Sequence, residues 1–326
     1  MRTITTRSSL KTILRGGGTI YIDPGVYKLS GSIDLPEGTS VYAHGANFVC
    51  ESTEYVIGLN SGCSWQGGAF KAKIIGQAAS DIRSVFRIGN YAEWTPIWNT
   101  QISNVAFQLD SFKPISGIWI LGAAKNVKIS NIHCDDCERL VGVISSHWGC
   151  VEKSDPTLGT AHPANLLYEN ISARNIGHED DNEGSIITSS ASVNVIARNL
   201  SATHAWIGLH VTTGDFGMLY SIDPCEVVNT FENVTIGYCR LAGLLVKSFY
   251  AEHIVNLSGA TIHGNGQGLA ALCYQEADNI TIKNSRFTSF PSIVNGSCKY
   301  CFLENTLING QIPLPTRSNQ SLNYKT

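Results

Sequence analysis

Between His147 and Lys247 the chain gathers side chains that can move protons and hold sugars. His210 stands inside a short apolar segment, Gly208-Leu-His-Val, where packing gives an imidazole no reason to be. Lys247 ends the similar segment that starts at Gly243. The run His178-Glu-Asp-Asp-Asn-Glu supplies His178, Asp180, Asp181 and Glu183 just before Gly184, while His204 and Trp206 precede Gly208 and His147 and Trp148 follow Gly142-Val-Ile-Ser. Thr188, Thr212 and Trp119 fall at matching places. Imidazoles and carboxylates serve general acid–base transfer, a lysine pairs with a uronate carboxylate, and aromatic faces stack on sugar rings. Two reactions use such a set. β-Elimination needs a base for the proton α to a uronate carboxyl, here His210 or His147. It also needs a cation for the enolate-like charge (Lys247) and an acidic partner (Glu183 or His178). Hydrolysis would instead pair Glu183 with Asp180 or Asp181. Elimination is preferred, and a glycan-binding or exopolysaccharide-assembly protein without turnover is the reading from another class.

These residues recur because the segments recur. Gly117-Ile-Trp-Ile, Gly142-Val-Ile-Ser, Gly184-Ser-Ile-Ile, Gly208-Leu-His-Val, Gly243-Leu-Leu-Val and Gly268-Leu-Ala-Ala read as glycine-opened strands, spaced by about 24 to 25 residues where nothing is inserted. Asn-led strands such as Asn126-Val-Lys-Ile precede several of them. One coil of this length cannot bury its apolar side, so coils must stack into a common interior. The pattern predicts an all-β chain, a right-handed parallel β-helix of one domain. A helix over 8–15 (cap 1–30) is expected to close its first end, with coils over 31–310 and a tail over 311–326. Alternation from each glycine predicts an outward row of Trp119 and Leu121, Ile144 and Ser146, Ile186 and Thr188, His210 and Thr212, and Leu245 and Lys247. The period stretches to 42 residues between Gly142 and Gly184 and to 35 between Gly208 and Gly243. The insertions, 147–163 and 213–228, leave the coil at equivalent points and are expected to wall one groove. His44, His133, His253 and His263 lie off it.

The opening segment, Gly16-Gly-Gly-Thr-Ile-Tyr-Ile-Asp-Pro-Gly-Val-Tyr, together with the coil pattern, resembles the pectin-lyase-like superfamily across nearly the whole chain. That resemblance implies the β-helix fold and action on polysaccharides. Against the polygalacturonases of this fold the match is partial. Gly243-Leu-Leu-Val-Lys-Ser is similar to their Gly-Val-Arg-Ile-Lys-Thr form with the arginine replaced by Leu245. Their Asp-Asp pair falls on Asn182 and Glu183, their Gly-His-Gly histidine on Trp206 and their Asn-Thr-Asp aspartate on Val141. The His147-Trp-Gly segment and the following His-Pro loop resemble β-helix proteins of phage depolymerases and exopolysaccharide gene clusters, where trimers are common. No trimerisation tail is visible.

Composition bounds the alternatives. With 43% hydrophobic and 15% charged residues and 31 glycines, the 326-residue chain suits a packed, glycine-punctuated β fold. A net charge of −3 argues against nucleic acid as a partner. No apolar run approaches membrane-spanning length and no signal-peptide core follows Met1, so a soluble chain is expected, secreted or virion-associated rather than cytoplasmic. No cofactor is called for, although Asp180, Asp181 and Glu183 could form part of a calcium site. The pairs Cys134/Cys137 and Cys298/Cys301 lie too far apart along the coils to share a metal and read as interior cysteines. Asn170, Asn199, Asn233, Asn256, Asn279 and Asn295 stand in Asn-x-Ser/Thr and read as stacked turn residues rather than glycosylation sites.

Overall fold

The computed structural model describes residues 2–4, 9–76, 83–90, 95–111, 113–137, 139–147, 161–177, 184–190, 192–212, 227–247, 253–311 and 321–325. Its strands pair in parallel, each with the equivalent strand of the coil before and after, into one continuous parallel β-helix. One coil shows the plan. The strand Ala124–Cys137 bends at Asn131 and so contributes two faces, and Leu140–His147 forms the third. The bend arises because Asn131 sits at φ 55°, a left-handed conformation that asparagine tolerates better than other side chains bearing a Cβ. Alternation along each strand sends Ile129, Ile132 and Cys134 inward, joining Phe107, Tyr168 and Leu200 from neighbouring coils in one core.

The first end differs from expectation. The helix spans only Leu10–Arg15, with Leu10 and Leu14 buried against the strands Gly25–Ser30 and Ile33–Leu35. Beyond it the strand Arg2–Ile4 pairs with Thr19–Ile22, so it is a strand that extends the first face outward. A six-residue helix covers little of a coil's cross-section. Among the described residues no helix is long and apolar enough to cross a membrane.

Two asparagine ladders mark the corners. Asn131 donates to Asn104 at 2.9 Å and accepts from Asn170 at 2.8 Å, and Asn199 and Asn233 continue the ladder. Asn126, Asn165 and Asn194 repeat the device above Asn99. Asn170, Asn199 and Asn233 therefore have the stacked turn role read from the sequence. Asn256, Asn279 and Asn295 lie instead within strands, opposite Thr230, Ile254 and Cys273, and do not share that corner. Asn131→Ala is expected to cost about 2 kcal/mol in denaturant unfolding, because alanine is strained at positive φ and two ladder bonds are lost. Asn131→Gly, which removes only the ladder, should cost about half as much; equal losses would refute the conformational part of this account.

Glycine has a packing role on the third face. A Cβ at Gly117 would lie 2.7 Å from the carbonyl oxygen of Val143, one at Gly243 2.8 Å from that of Ala271, and one at Gly208 would run into the carbonyl of Gly243. These three glycines occupy equivalent positions in the stack. The other three of the sequence repeat do not. Gly142 stands opposite Ser116, and Gly184 and Gly268 come one and two residues before Ser185 and Ala270 of that same row.

Candidate functional site on the third face

That slip in register changes which side chains face outward. Ile144 pairs with Ile118 and Ile187 and is buried in the main core, as is Ile186, so both expected outward positions are internal. Ser146 is internal as well: it stacks between Ile120 and Ser189, and Ser189 donates to Asn229 at 2.6 Å. The outward places on that coil belong to Ser145 and His147, residues that glycine-anchored alternation did not give together.

The corrected outward surface has two columns. One runs Trp119, Ser145, Thr188, His210, Leu245 and Cys273; the other runs Leu121, His147, Ser190, Thr212, Lys247 and Gln275. Successive members are one coil apart, roughly 4.8 Å. The structure thus brings His210, Thr188, Thr212, Lys247, His147 and Trp119 onto one face, as the sequence implied. Apolar patches bracket this polar band. Trp119 and Leu121 pack together on one side, and Ile207, Ala242, Leu245, Ala270 and Cys273 form a cluster on the other. Trp206 packs on that second cluster, which gives it a structural role in this wall.

Burial decides the electrostatics. His210 is only 7% exposed, Thr188 2% and Thr212 8%. The expectation that an outward His210 would stand free of packing is therefore corrected: the residue points away from the core yet is enclosed. Burial, reinforced by the positive charge of Lys247 and by His147, lowers the His210 pKa to about 3. Burial likewise lowers that of His147 to about 3, and the edge of the Trp119 ring meets this imidazole at 5.9 Å and 90°. Both histidines are neutral near pH 7.

The hydrogen bonds around them are unevenly distributed. Ser116 donates to Ser145 at 2.8 Å, and Thr188 donates to the Val141 carbonyl at 3.0 Å while sharing a 2.7 Å bond with Ser185. Among the described residues the Nε2 atom of His210 and the hydroxyl of Ser190 are buried without a partner. Leaving such a group unpaired costs about 1–3 kcal/mol, a cost that a bound ligand's polar group would remove.

Other expected residues fall elsewhere. His204 is not on this face: it is exposed at the corner between the second and third faces, its ring 5.3 Å from that of Tyr238. Trp148, His178, Asp180, Asp181 and Glu183 lie outside the described residues, as do most of both insertions. The segments 148–160 and 213–226 do follow directly on His147 and Thr212, members of the same column, so the two insertions leave the coil at equivalent points. Among the described residues no three His, Cys, Asp or Glu side chains converge as a metal site, and the four cysteines of the two pairs are buried in the solenoid interior. His133 bonds to Ser172 and Asp135, and His263 to Thr288, away from the third face.

Sequence reasoning missed Ser145, Ser190 and a groove at the corner that leads into this face. The groove, about 760 Å³, is lined by Asp110, Ser111, Arg139, Asn175, His204 and Arg240 among others. The arginines immediately precede strand segments that carry the site, a signal present in the sequence but indistinct from ordinary solvated charge.

No protein-family model matches the chain, and no curated protein matches it. Among solved structures it is similar to the A-module of the Azotobacter vinelandii mannuronan C-5 epimerase AlgE6, at 13% identity over 92% of each chain with a TM-score of 0.44. It is also similar to the catalytic domain of a GH87 alpha-1,3-glucanase in complex with nigerose, at 10% identity over 98% of this chain and 68% of that one with a TM-score of 0.47.

Proposed function

We propose that the chain is a carbohydrate-active enzyme that cleaves an acidic polysaccharide by β-elimination, with His210 at the reacting centre. The observation that carries this reading is the buried, unpartnered Nε2 of a neutral histidine beside Lys247 and His147. A free imidazole with a pKa near 3 is a weak base. A bound uronate changes that, because a carboxylate placed between His210 and Lys247 favours the protonated imidazole and raises the pKa toward working pH. His210 then takes the proton α to the carboxyl group. Lys247 stabilises the negative charge that builds on the carboxylate, the electron pair forms the ring double bond, and the bond to the leaving glycosidic oxygen breaks as that oxygen gains a proton. The acid for that oxygen is the partner expected from the sequence, Glu183 or His178, which lies outside the described residues, while neutral His147 stands within electrostatic reach of His210. The apolar patches on either side lower the local dielectric and strengthen each of these interactions.

The test is incubation with a panel of bacterial and plant polysaccharides, read together for new reducing ends and for the absorbance of unsaturated uronate. Both signals are expected on at least one acidic glycan. Reducing ends without the absorbance would replace elimination by hydrolysis, and the acidic run 178–183 would then become the place to look. Binding without either signal would leave a glycan-binding protein.

A further inference from the structure

We infer that the corner groove beside the third face is a second, non-catalytic site that grips a polyanionic glycan chain. The inference rests on the reading above for the class of ligand but uses none of its residues. Arg139, Asn175, His204 and Arg240 come from four successive coils at one corner, since Cys137, Ile176, Ala205 and Cys239 stack in register there. Arg139 and Arg240 are therefore three coil steps apart, roughly 14 Å along the axis. A compact anion cannot touch both. A chain with an anionic group on successive sugars can, and the groove volume of about 760 Å³ suits several sugar units rather than one.

The lining is matched to such a chain. Guanidinium groups bind carboxylate or sulfate through paired N–H donors and retain their charge at any working pH. Arg240 is exposed and pairs with no carboxylate among the described residues. His204, packed on Tyr238, presents a broad ring surface between the two arginines, and the side chains of Ser111 and Asn175 can bond sugar hydroxyls. Among the described lining residues Asp110 is the single carboxylate, and it lies one coil beyond Arg139, where it would repel a polyanion at that end of the groove. The strand Leu140–His147 begins directly after Arg139, and the strand Val227–Lys247 passes onto the third face just after Arg240, so a chain held here runs alongside the columns that carry His147, His210 and Lys247.

The experiment measures binding of the full chain to polygalacturonate and alginate oligomers, with dextran as the neutral control. Binding to the polyuronates is expected to weaken as salt rises, and Arg240→Gln is expected to lower affinity about tenfold while flattening that salt dependence. Arg240→Lys, which keeps the charge but loses the paired donors, should bind with an affinity between those of the wild type and Arg240→Gln. Wild-type affinity in Arg240→Gln at low salt, or equal binding of dextran, would overturn the inference. If polyuronate is cleaved but Arg240→Gln binds normally, the groove is refuted while the enzymatic reading stands. If binding depends on Arg240 and no glycan is cleaved, the groove stands and the enzymatic reading fails.

Discussion

His210→Ala is expected to lower turnover on a cleavable glycan by about 10²- to 10⁴-fold, the range general acid or base groups contribute. The folded state should survive the change. Because His210 is enclosed, truncation opens a cavity, which destabilises; it also removes a nitrogen buried without a partner, which offsets part of that loss. The net change in unfolding free energy is expected to stay within about 2 kcal/mol, and His210→Gln, which fills more of the space, should lose activity to a similar degree. The exposed His44, on another part of the solenoid, is the control and should tolerate alanine with full activity. Steady-state kinetics on one identified substrate, with a denaturant curve for each variant, separates the outcomes. Full activity in His210→Ala would end the assignment, and loss in step with unfolding would reduce His210 to a packing residue.

The solenoid and the clustering of His210, Thr188, Thr212 and Lys247 on one face were legible in the sequence because apolar alternation and coil length are local signals. Finer register was not. Glycine opens these segments for more than one reason: Gly117, Gly208 and Gly243 fit beneath a neighbouring carbonyl, whereas Gly184 is at φ 119° against Gly177 at a corner. Aligning all six glycines therefore displaced the coil of Gly142 by one residue, and a shift of one exchanges inside for outside. That single step hid Ser145 and placed Ile144 and Ser146 on the wrong side. His204 failed for a related reason. Its distance from Gly208 in sequence is short, but the chain turns a corner at Ala205, so neighbours in sequence face different surroundings. Nor could residue type alone foretell that an outward histidine would be enclosed.

Acid should destabilise this protein more than it destabilises the His210→Ala variant. Burial lowers the pKa of His210 and of His147 to about 3, against about 6.5 in an unfolded chain. Between those values the unfolded state binds more protons than the folded one, so stability rises with pH through this window. The contribution of each depressed group is fully present above pH 6.5 and is lost as pH falls toward 3. A drop from pH 6.5 to 4.5 costs up to about 2.7 kcal/mol per histidine, two units at about 1.4 kcal/mol each. Protonating one of the pair also makes protonating the other harder, because both sit beside Lys247 or each other. Comparison with the variant, rather than the wild type alone, isolates the histidine. Denaturant midpoints measured at half-unit steps from pH 7 to 4 should fall more steeply in the wild type than in His210→Ala, and parallel curves would show that His210 is not held neutral by the fold. Added polyuronate acts in the opposite sense. Its carboxylate favours the imidazolium, so bound substrate should reduce the acid loss in the wild type and leave His210→Ala unchanged in slope, which links the stability of this site to its chemistry through the same proton.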